Sequence, residues 1–241
     1  MHDSYDAYGH IARGNWSPTV TAGRYQIQEA AESLAAQDIA GKLALDSSCR
    51  LLEIGCGPGS MLKALTPLAR EAVGIDHPNV IQVARNRLAG LPVTLVEGRF
   101  PEVMPAGQFD RIVIYSVLHY CRDLDAVSAF LDAALSLLPP GGILLAGDLP
   151  NSDRKARFLA SPEGEVFQRD WAERMAANTG AEALEVLGTV PMIKFFADQD
   201  IRILEERYSA LGYRVEVLDQ PPDLPFGYTR EDLRLTASAS A

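Results

Sequence analysis

The chain has 241 residues, with 22 Lys and Arg against 32 Asp and Glu, so its formal net charge is −10. With 47% hydrophobic and 22% charged residues it has an ordinary globular balance, which excludes a largely disordered chain. The acid excess argues against a protein that grips nucleic acid, since that calls for a basic footprint. It leaves a small anionic substrate open, because local field matters more than net charge.

The N-terminal stretch MHDSYDAYGHIARGNW carries no apolar run that could serve as a signal peptide. No segment approaches the roughly 18–20 apolar residues needed to cross a bilayer. Cys49, Cys56 and Cys121 are odd in number and lack metal-ligand spacing. Together these features point to free thiols in a reducing cytoplasm, with no membrane partner and no metal site.

Residues 1–23, rich in Tyr, His, Gly and Trp, read as an arm or lid. The spacing of Ile27, Ala31, Leu34 and Ala35 predicts a helix over Tyr25–Ala40, with Gly41 as its stop. Short apolar runs then alternate with amphipathic stretches. Strands are predicted at Arg50–Ile54, Ala72–Ile75, Val93–Val96, Arg111–Val117 and Ile143–Ala146, and helices at Ser60–Ala69, Pro78–Leu88 and Leu124–Leu138. Residues 151–198 lean helical and form an insertion. A helix over Asp200–Leu211, a strand over Tyr213–Leu218 and a last strand over Leu233–Ala237 complete the pattern, with a rigid loop from Gln220 to Tyr228 and a small-residue tail. Such alternation implies an α/β fold with a doubly wound, mostly parallel sheet, in one domain rather than two.

The strongest chemical signal is LLEIGCGPGS, from Leu51 to Ser60. A hydrophobic strand runs into Gly55, Gly57 and Gly59 and then opens a helix. Glycines there allow a tight turn and close approach of backbone to a ligand, and the helix N-terminus favours an anion. Asp76, closing the second strand, can accept both hydroxyls of an adenosine ribose. A dinucleotide fingerprint requires G-x-G-x-x-G, whereas this loop reads G-x-G-x-G with Ser60 at the place of the distant glycine.

Together with VGID ending at Asp76, FDRIVIYSVLHY and LSLLPPGGILLAGD, this loop resembles the class I S-adenosylmethionine-dependent methyltransferases. The blocks lie in the family's order from Leu51 to Asp148. The resemblance implies a seven-stranded Rossmann-like sheet, S-adenosylmethionine as cofactor and S-adenosylhomocysteine as its product. Within it, Gly55, Cys56, Gly57 and Gly59 form the loop at the methionine end, with Glu53 beneath. Asp76 holds the ribose and His77 flanks the adenine. Relatives often carry an acid after the third strand for the adenine amino group. Arg99 stands there instead, so the backbone of Arg99 and Phe100, with the Phe100 ring, substitutes. Tyr115 and Ser116 approach the sulfonium and the methionine amino group.

Methyl transfer asks the protein to align a nucleophile and, where needed, to take its proton. His119, just beyond the fourth strand, is the candidate base, or else packs beneath the loop. Asp148 polarises a hydroxyl or amine, or caps the following turn. Metal-dependent relatives carry an acid after the fourth strand and an Asp-Asn pair after the fifth. Tyr115-Ser116 and the separated Asp148 and Asn151 do not reproduce that set, so no metal is expected. Tyr8, His10 and Trp16 are lid candidates or else ordinary packing of an aromatic-rich terminus, and the loop carrying Tyr228 either walls the acceptor pocket or is a structural crossover. The cations of the stretch from Arg154 to Arg169 either face an anionic substrate or form a solvated helix face. The region after Asp148 resembles methyltransferases of surface-glycan or secondary-metabolite pathways, which implies a sugar or another secondary metabolite.

The sequence is therefore read as one domain over residues 1–241. An N-terminal arm and helix occupy 1–48, a cofactor-binding half 49–150, the insertion 151–198, and a C-terminal helix with the last strands 199–241. The expected activity is transfer of a methyl group to oxygen or nitrogen of a small molecule in the cytoplasm, with no nucleic acid partner and either a monomer or a homodimer. The alternatives are a nicotinamide-dependent oxidoreductase on a Rossmann fold, and a catalytically inactive methyltransferase-like partner subunit.

Overall fold

The structure, a computed structural model, describes residues 3–176, 181–190 and 195–238; the remaining parts of the expected arm, insertion and tail lie outside the described residues. Seven strands form one sheet: β1 (Arg50–Ile54), β2 (Glu71–Asp76), β3 (Val93–Glu97), β4 (Arg111–Tyr115), β5 (Ile143–Pro150), β6 (Arg214–Asp219) and β7 (Arg230–Thr236). Their order is β3-β2-β1-β4-β5-β7-β6. All pairs are parallel except those of β7, which runs antiparallel between β5 and β6. Strand order reverses between β1 and β4, so the crevice at their carboxyl ends is where an open sheet of this kind takes its ligand.

The apolar runs sort by a period of two onto the two faces. Leu52, Ile54, Ile112, Ile114 and Leu144 pack with Val127 and Leu131 of α6 (Leu124–Leu135) and Leu204 and Tyr208 of α10 (Asp198–Ala210). Leu51, Val113 and Leu145 face the opposite way. They meet Ile39 of α3 (Glu32–Lys42), Leu62 of α4 (Ser60–Leu65) and Ile81 of α5 (Pro78–Arg87). A central strand buried on both faces reads as an unbroken hydrophobic run, which is why these strands stand out in the sequence.

The departures from expectation have local causes. The helix expected over Tyr25–Ala40 starts with a 3-10 segment at Gln26–Ala31, and α3 runs through Gly41 to Lys42. Ala44, at φ +46°, takes the left-handed position that Gly41 was expected to hold, and the Leu45 amide closes onto the Ala40 carbonyl. The helix from Ser60 stops at Leu65 and tightens to a 3-10 turn containing Pro67, which has no amide hydrogen for the α pattern. The arm is helical, with α1 (Ser4–Ile11) and α2 (Pro18–Thr21). The insertion forms α7 (Ser152–Leu159), α8 (Pro162–Ala176) and α9 (Ala181–Gly188). β5 runs past its expected end at Ala146 to Pro150, so Asp148 sits inside the strand, at a break in register between Ala146 and Leu149, with φ +62°. Among the described residues no helix is long and apolar enough to cross a membrane.

Candidate active site

At the carboxyl end of β1 the chain turns at Gly55, where φ is +76° and an added Cβ would lie 2.5 Å from Val117 Cγ2. Only glycine tolerates both demands. Beside the turn, Asp76 Oδ2 accepts from the Gly57 amide at 2.7 Å and Oδ1 from the His77 amide at 2.6 Å. A carboxylate oxygen has two lone-pair directions, so each oxygen retains one for a ligand. Burial pushes the Asp76 carboxyl up to about 6, against the pull of those two amides. Glu53 is buried on β1 and its Oε2 has no hydrogen-bond partner. Burial, and then the neighbouring Asp76 charge, raise its carboxyl well above the usual range. The Cys56 thiol is raised too, first by burial, which keeps it a thiol rather than a nucleophile.

These groups border a cavity of about 420 Å³, roofed by Asp3, Ser4, Tyr5 and Tyr8 of the N-terminal arm. The arm is anchored at several points. Arg99 pairs with Asp3, with Nη2 2.9 Å from Oδ1, and its guanidinium lies 4.3 Å from the Tyr5 ring centroid. The Tyr5 and His77 rings lie 4.7 Å apart, and Asn79 Nδ2 donates to the Gly9 carbonyl at 2.9 Å. The Arg99 side chain is thus spent on the arm, while its neighbour Phe100 is buried against Phe130, ring centroids 5.0 Å apart.

A second cavity, of about 620 Å³, adjoins the first across a wall of Tyr8, Ala22, Arg24, Tyr115, Ser116 and Tyr120, which line both. Behind this wall runs a polar chain. Arg24 Nη2 donates to Ser116 Oγ at 3.2 Å, Ser116 Oγ donates to Asp148 Oδ2, and Arg230 Nη1 donates to Asp148 Oδ2 at 2.9 Å. Ser116 and Asp148 both sit at positive φ, +60° and +62°, a strained backbone of the kind concentrated at functional sites. The strain is held from below. Asp232, fully buried, accepts the Asp148 amide at 2.8 Å and pairs with Lys42 at 2.6 Å.

His119 also lines the second cavity; its Nδ1 is buried without a partner, and burial, followed by the Arg230 charge, lowers it to about 4. Part of the cavity lining is aromatic. Trp171 lies 5.0 Å from Phe226 and 5.9 Å from Tyr25, centroid to centroid, and stacks with Phe167.

The expected site residues therefore fall into two groups. Glu53, Gly55, Cys56, Gly57, Asp76, Arg99, Phe100, Tyr8, Tyr115 and Ser116 line the first cavity, and His119 and Asp148 the second. Gly59 packs against Leu88 behind the loop. His77 supports the arm through Tyr5. His10 and Trp16 are exposed on the outer side of the arm and line neither cavity. Tyr228 is exposed too, stacked on Phe158 4.7 Å away rather than walling the pocket. Of the cationic stretch, Arg154 pairs with Asp219 and Glu231, and Arg157 with Asp198; Lys155 alone reaches the cavity. Arg24, Tyr120 and Arg230 were not singled out from the sequence. A lone arginine or tyrosine carries no spacing signal, and Arg230 meets Asp148 only because β7 pairs with β5. Among the described residues no group of three or more His, Cys, Asp and Glu is placed to hold a metal ion.

Residues 52–146 match the family model described as a methyltransferase domain. A ubiquinone biosynthesis O-methyltransferase of Rhodopseudomonas palustris (strain HaA2) is 30% identical over 132 residues, covering 53% of this chain and 50% of that protein. A chondramide synthase of Chondromyces crocatus is 36% identical over 118 residues, 46% of this chain and 3% of that protein. The chain thus spans half the length or less of these relatives. Among solved structures, the N-methyltransferase NodS of Bradyrhizobium japonicum WM9, in complex with S-adenosylhomocysteine, superposes with a TM-score of 0.62 at 18% identity, covering 98% of this chain and 99% of that one. A likeness at that identity speaks for the fold alone, and it agrees with the domain match and the strand order. Residues 52–146 of this chain thus match a methyltransferase domain, carried on a seven-stranded sheet of the corresponding fold.

Proposed function

We propose that the protein transfers the methyl group of S-adenosylmethionine to an oxygen or nitrogen of a small molecule. The observation that carries this reading is the pair of cavities sharing one wall at the sheet's switch point. An in-line displacement needs donor and acceptor to meet at one place from opposite sides. When bound, the cofactor supplies a methyl group already activated by a sulfonium.

The residues of the first cavity suit this cofactor. The free lone pairs of Asp76 match a pair of ribose hydroxyls, and the unpartnered Glu53 Oε2 matches an ammonium donor. The arm above them excludes water. In the second cavity Asp148 is oriented by Arg230 and Ser116, and we assign it the role of fixing the acceptor hydroxyl or amine. His119 serves as a neutral imidazole at physiological pH, a hydrogen-bonding group and a weak base suited to an acceptor that loses its proton readily.

The chain acts in this reading as one unit, in the cytoplasm, on a small molecule and not on nucleic acid, in keeping with its charge of −10. Calorimetry tests the proposal: S-adenosylhomocysteine binds, NADH does not, and Asp76→Ala weakens binding at least ten-fold. Binding of NADH in its place would return the nicotinamide alternative. Cofactor binding without turnover of any acceptor would favour the inactive subunit.

A further inference from the structure

From the lining of the second cavity we infer that the acceptor is a planar aromatic carboxylate, with Lys155 as the group that binds its anionic end. The inference rests on the methyl-transfer reading and names the substrate class of that same site. Three observations carry it.

The first is charge. In a chain of net charge −10, the cavity is lined by three cations, Arg24, Lys155 and Arg230, and by a single carboxylate, Asp148. Arg230 is neutralised by that carboxylate. Lys155 has no carboxylate within ion-pair distance among the described residues, although its neighbours Arg154 and Arg157 are both paired. Its ammonium lies 4.9 Å from the ring centroid of Phe195, which also lines the cavity. A local positive field inside an acidic protein draws an anion. The same field repels a cationic acceptor, which an aromatic cage alone would otherwise suit.

The second is shape. Tyr25, Phe167, Trp171 and Phe226 form a continuous set of ring contacts with centroid separations of 5.0–5.9 Å, facing a common space. Flat apolar walls of this kind take a flat ring by offset stacking or edge contact.

The third is the state of the polar lining. Gln28 accepts from the Tyr25 amide, Gln168 donates to the Leu159 carbonyl, Gln220 donates to Tyr115 and Asp232, and Thr229 donates to the Phe226 carbonyl. These side chains already serve partners within the protein. A sugar would bring several hydroxyls, each of which costs affinity if left unpaired, to a wall whose amides keep one free end each, Gln28 Nε2, Gln168 Oε1 and Gln220 Oε1. An aromatic acid needs polar partners only at its two ends: Lys155 at the carboxylate, and the groups at the shared wall where the methyl group arrives.

The test uses a Trp16→Phe background, which leaves Trp171 as the sole tryptophan and hence as a fluorescence reporter inside the cavity. The protein is saturated with S-adenosylhomocysteine and titrated with 4-hydroxybenzoate, 3,4-dihydroxybenzoate and 4-hydroxycinnamate, with the primary amide of each acid, and with glucose 6-phosphate. At least one acid is expected to quench Trp171 saturably and to bind about ten-fold tighter than its amide. Lys155→Met should bring that ratio close to one, and Lys155→Arg should keep most of it. Lys155 is exposed on α7, so neither change threatens the fold. If no acid outbinds its amide, if Lys155→Met leaves the ratio intact, or if glucose 6-phosphate binds tightest, the inference is overturned. Failure of the methyl-transfer reading shows separately, as absence of S-adenosylhomocysteine binding while the acids still quench Trp171.

Discussion

The Tyr8 hydroxyl donates to the Tyr120 hydroxyl at 2.6 Å, joining the N-terminal helix to the turn that follows β4. The two rings meet edge to face at 5.4 Å, and both residues belong to the wall between the cavities. The bond therefore fastens the roof of the first cavity to the wall it shares with the second.

Removing either hydroxyl should loosen the roof. Tyr8→Phe leaves Tyr120 short of a partner and costs about 1 kcal/mol of closure. S-adenosylhomocysteine should dissociate about five-fold faster, as read by stopped-flow displacement. In a double-mutant cycle, adding Tyr120→Phe should cost little more, because the shared bond is already gone.

Cofactor affinity should depend on pH through Asp76. Its carboxyl, pushed up to about 6 by burial, must be ionised to accept two ribose hydroxyls. Binding favours the ionised form, so protons compete with the ligand. This carboxyl alone should make calorimetric affinity for S-adenosylhomocysteine fall towards ten-fold per unit below pH 6. Asp76→Asn should bind weakly and show none of this dependence between pH 5 and 7.

Glu53 illustrates a site that gives up stability for binding. Its carboxyl is raised by burial, so its contribution to folding is favourable at low pH and is lost as pH rises through the folded value. Glu53→Gln removes that titration. Without cofactor it should melt a few degrees higher than the parent at pH 8, with a smaller gain at pH 5. Affinity for S-adenosylhomocysteine should fall at least ten-fold, because no charge then faces the ammonium.

His119 acts in the opposite sense. With its folded value lowered to about 4 from the usual 6.5, the unfolded chain binds the proton first. The native state should lose up to about 3 kcal/mol between pH 6.5 and pH 4 from this group. Urea denaturation should show His119→Phe gaining on the parent as pH falls across that window. If the imidazole is not the principal base, kcat in the variant should drop by less than ten-fold.

Asp148→Asn should separate the acceptor side from the cofactor side. It weakens the pairing of Arg230 and the oriented bond from Ser116, so kcat should fall about a hundred-fold while affinity for S-adenosylhomocysteine stays within two-fold. Steady-state kinetics alongside calorimetry would read both quantities.

Much of this protein was legible in one dimension, and for a physical reason. The strands of the sheet's centre are buried on both faces, so Leu51–Ile54 and Arg111–Tyr115 announce themselves as apolar runs. The glycine loop and Asp76 lie on consecutive β-strand ends, and their chemistry depends on backbone shape within a short stretch of chain. The acceptor side is different. Asp148 meets Arg230 because β7 runs antiparallel beside β5, Tyr8 meets Tyr120 because α1 folds back over the sheet, and Trp171 meets Tyr25 because the insertion covers the arm. Those pairs are separated by 82, 112 and 146 residues, so no local pattern encodes them. The same holds for charge. Arg154, Lys155 and Arg157 are alike in the sequence, and only tertiary packing pairs the arginines with Asp219, Glu231 and Asp198 while leaving the lysine to face the cavity. Sequence alone determined the sheet and the cofactor end, where burial and backbone conformation are set by near neighbours; the tertiary structure decided the acceptor end, where residues from four distant segments converge.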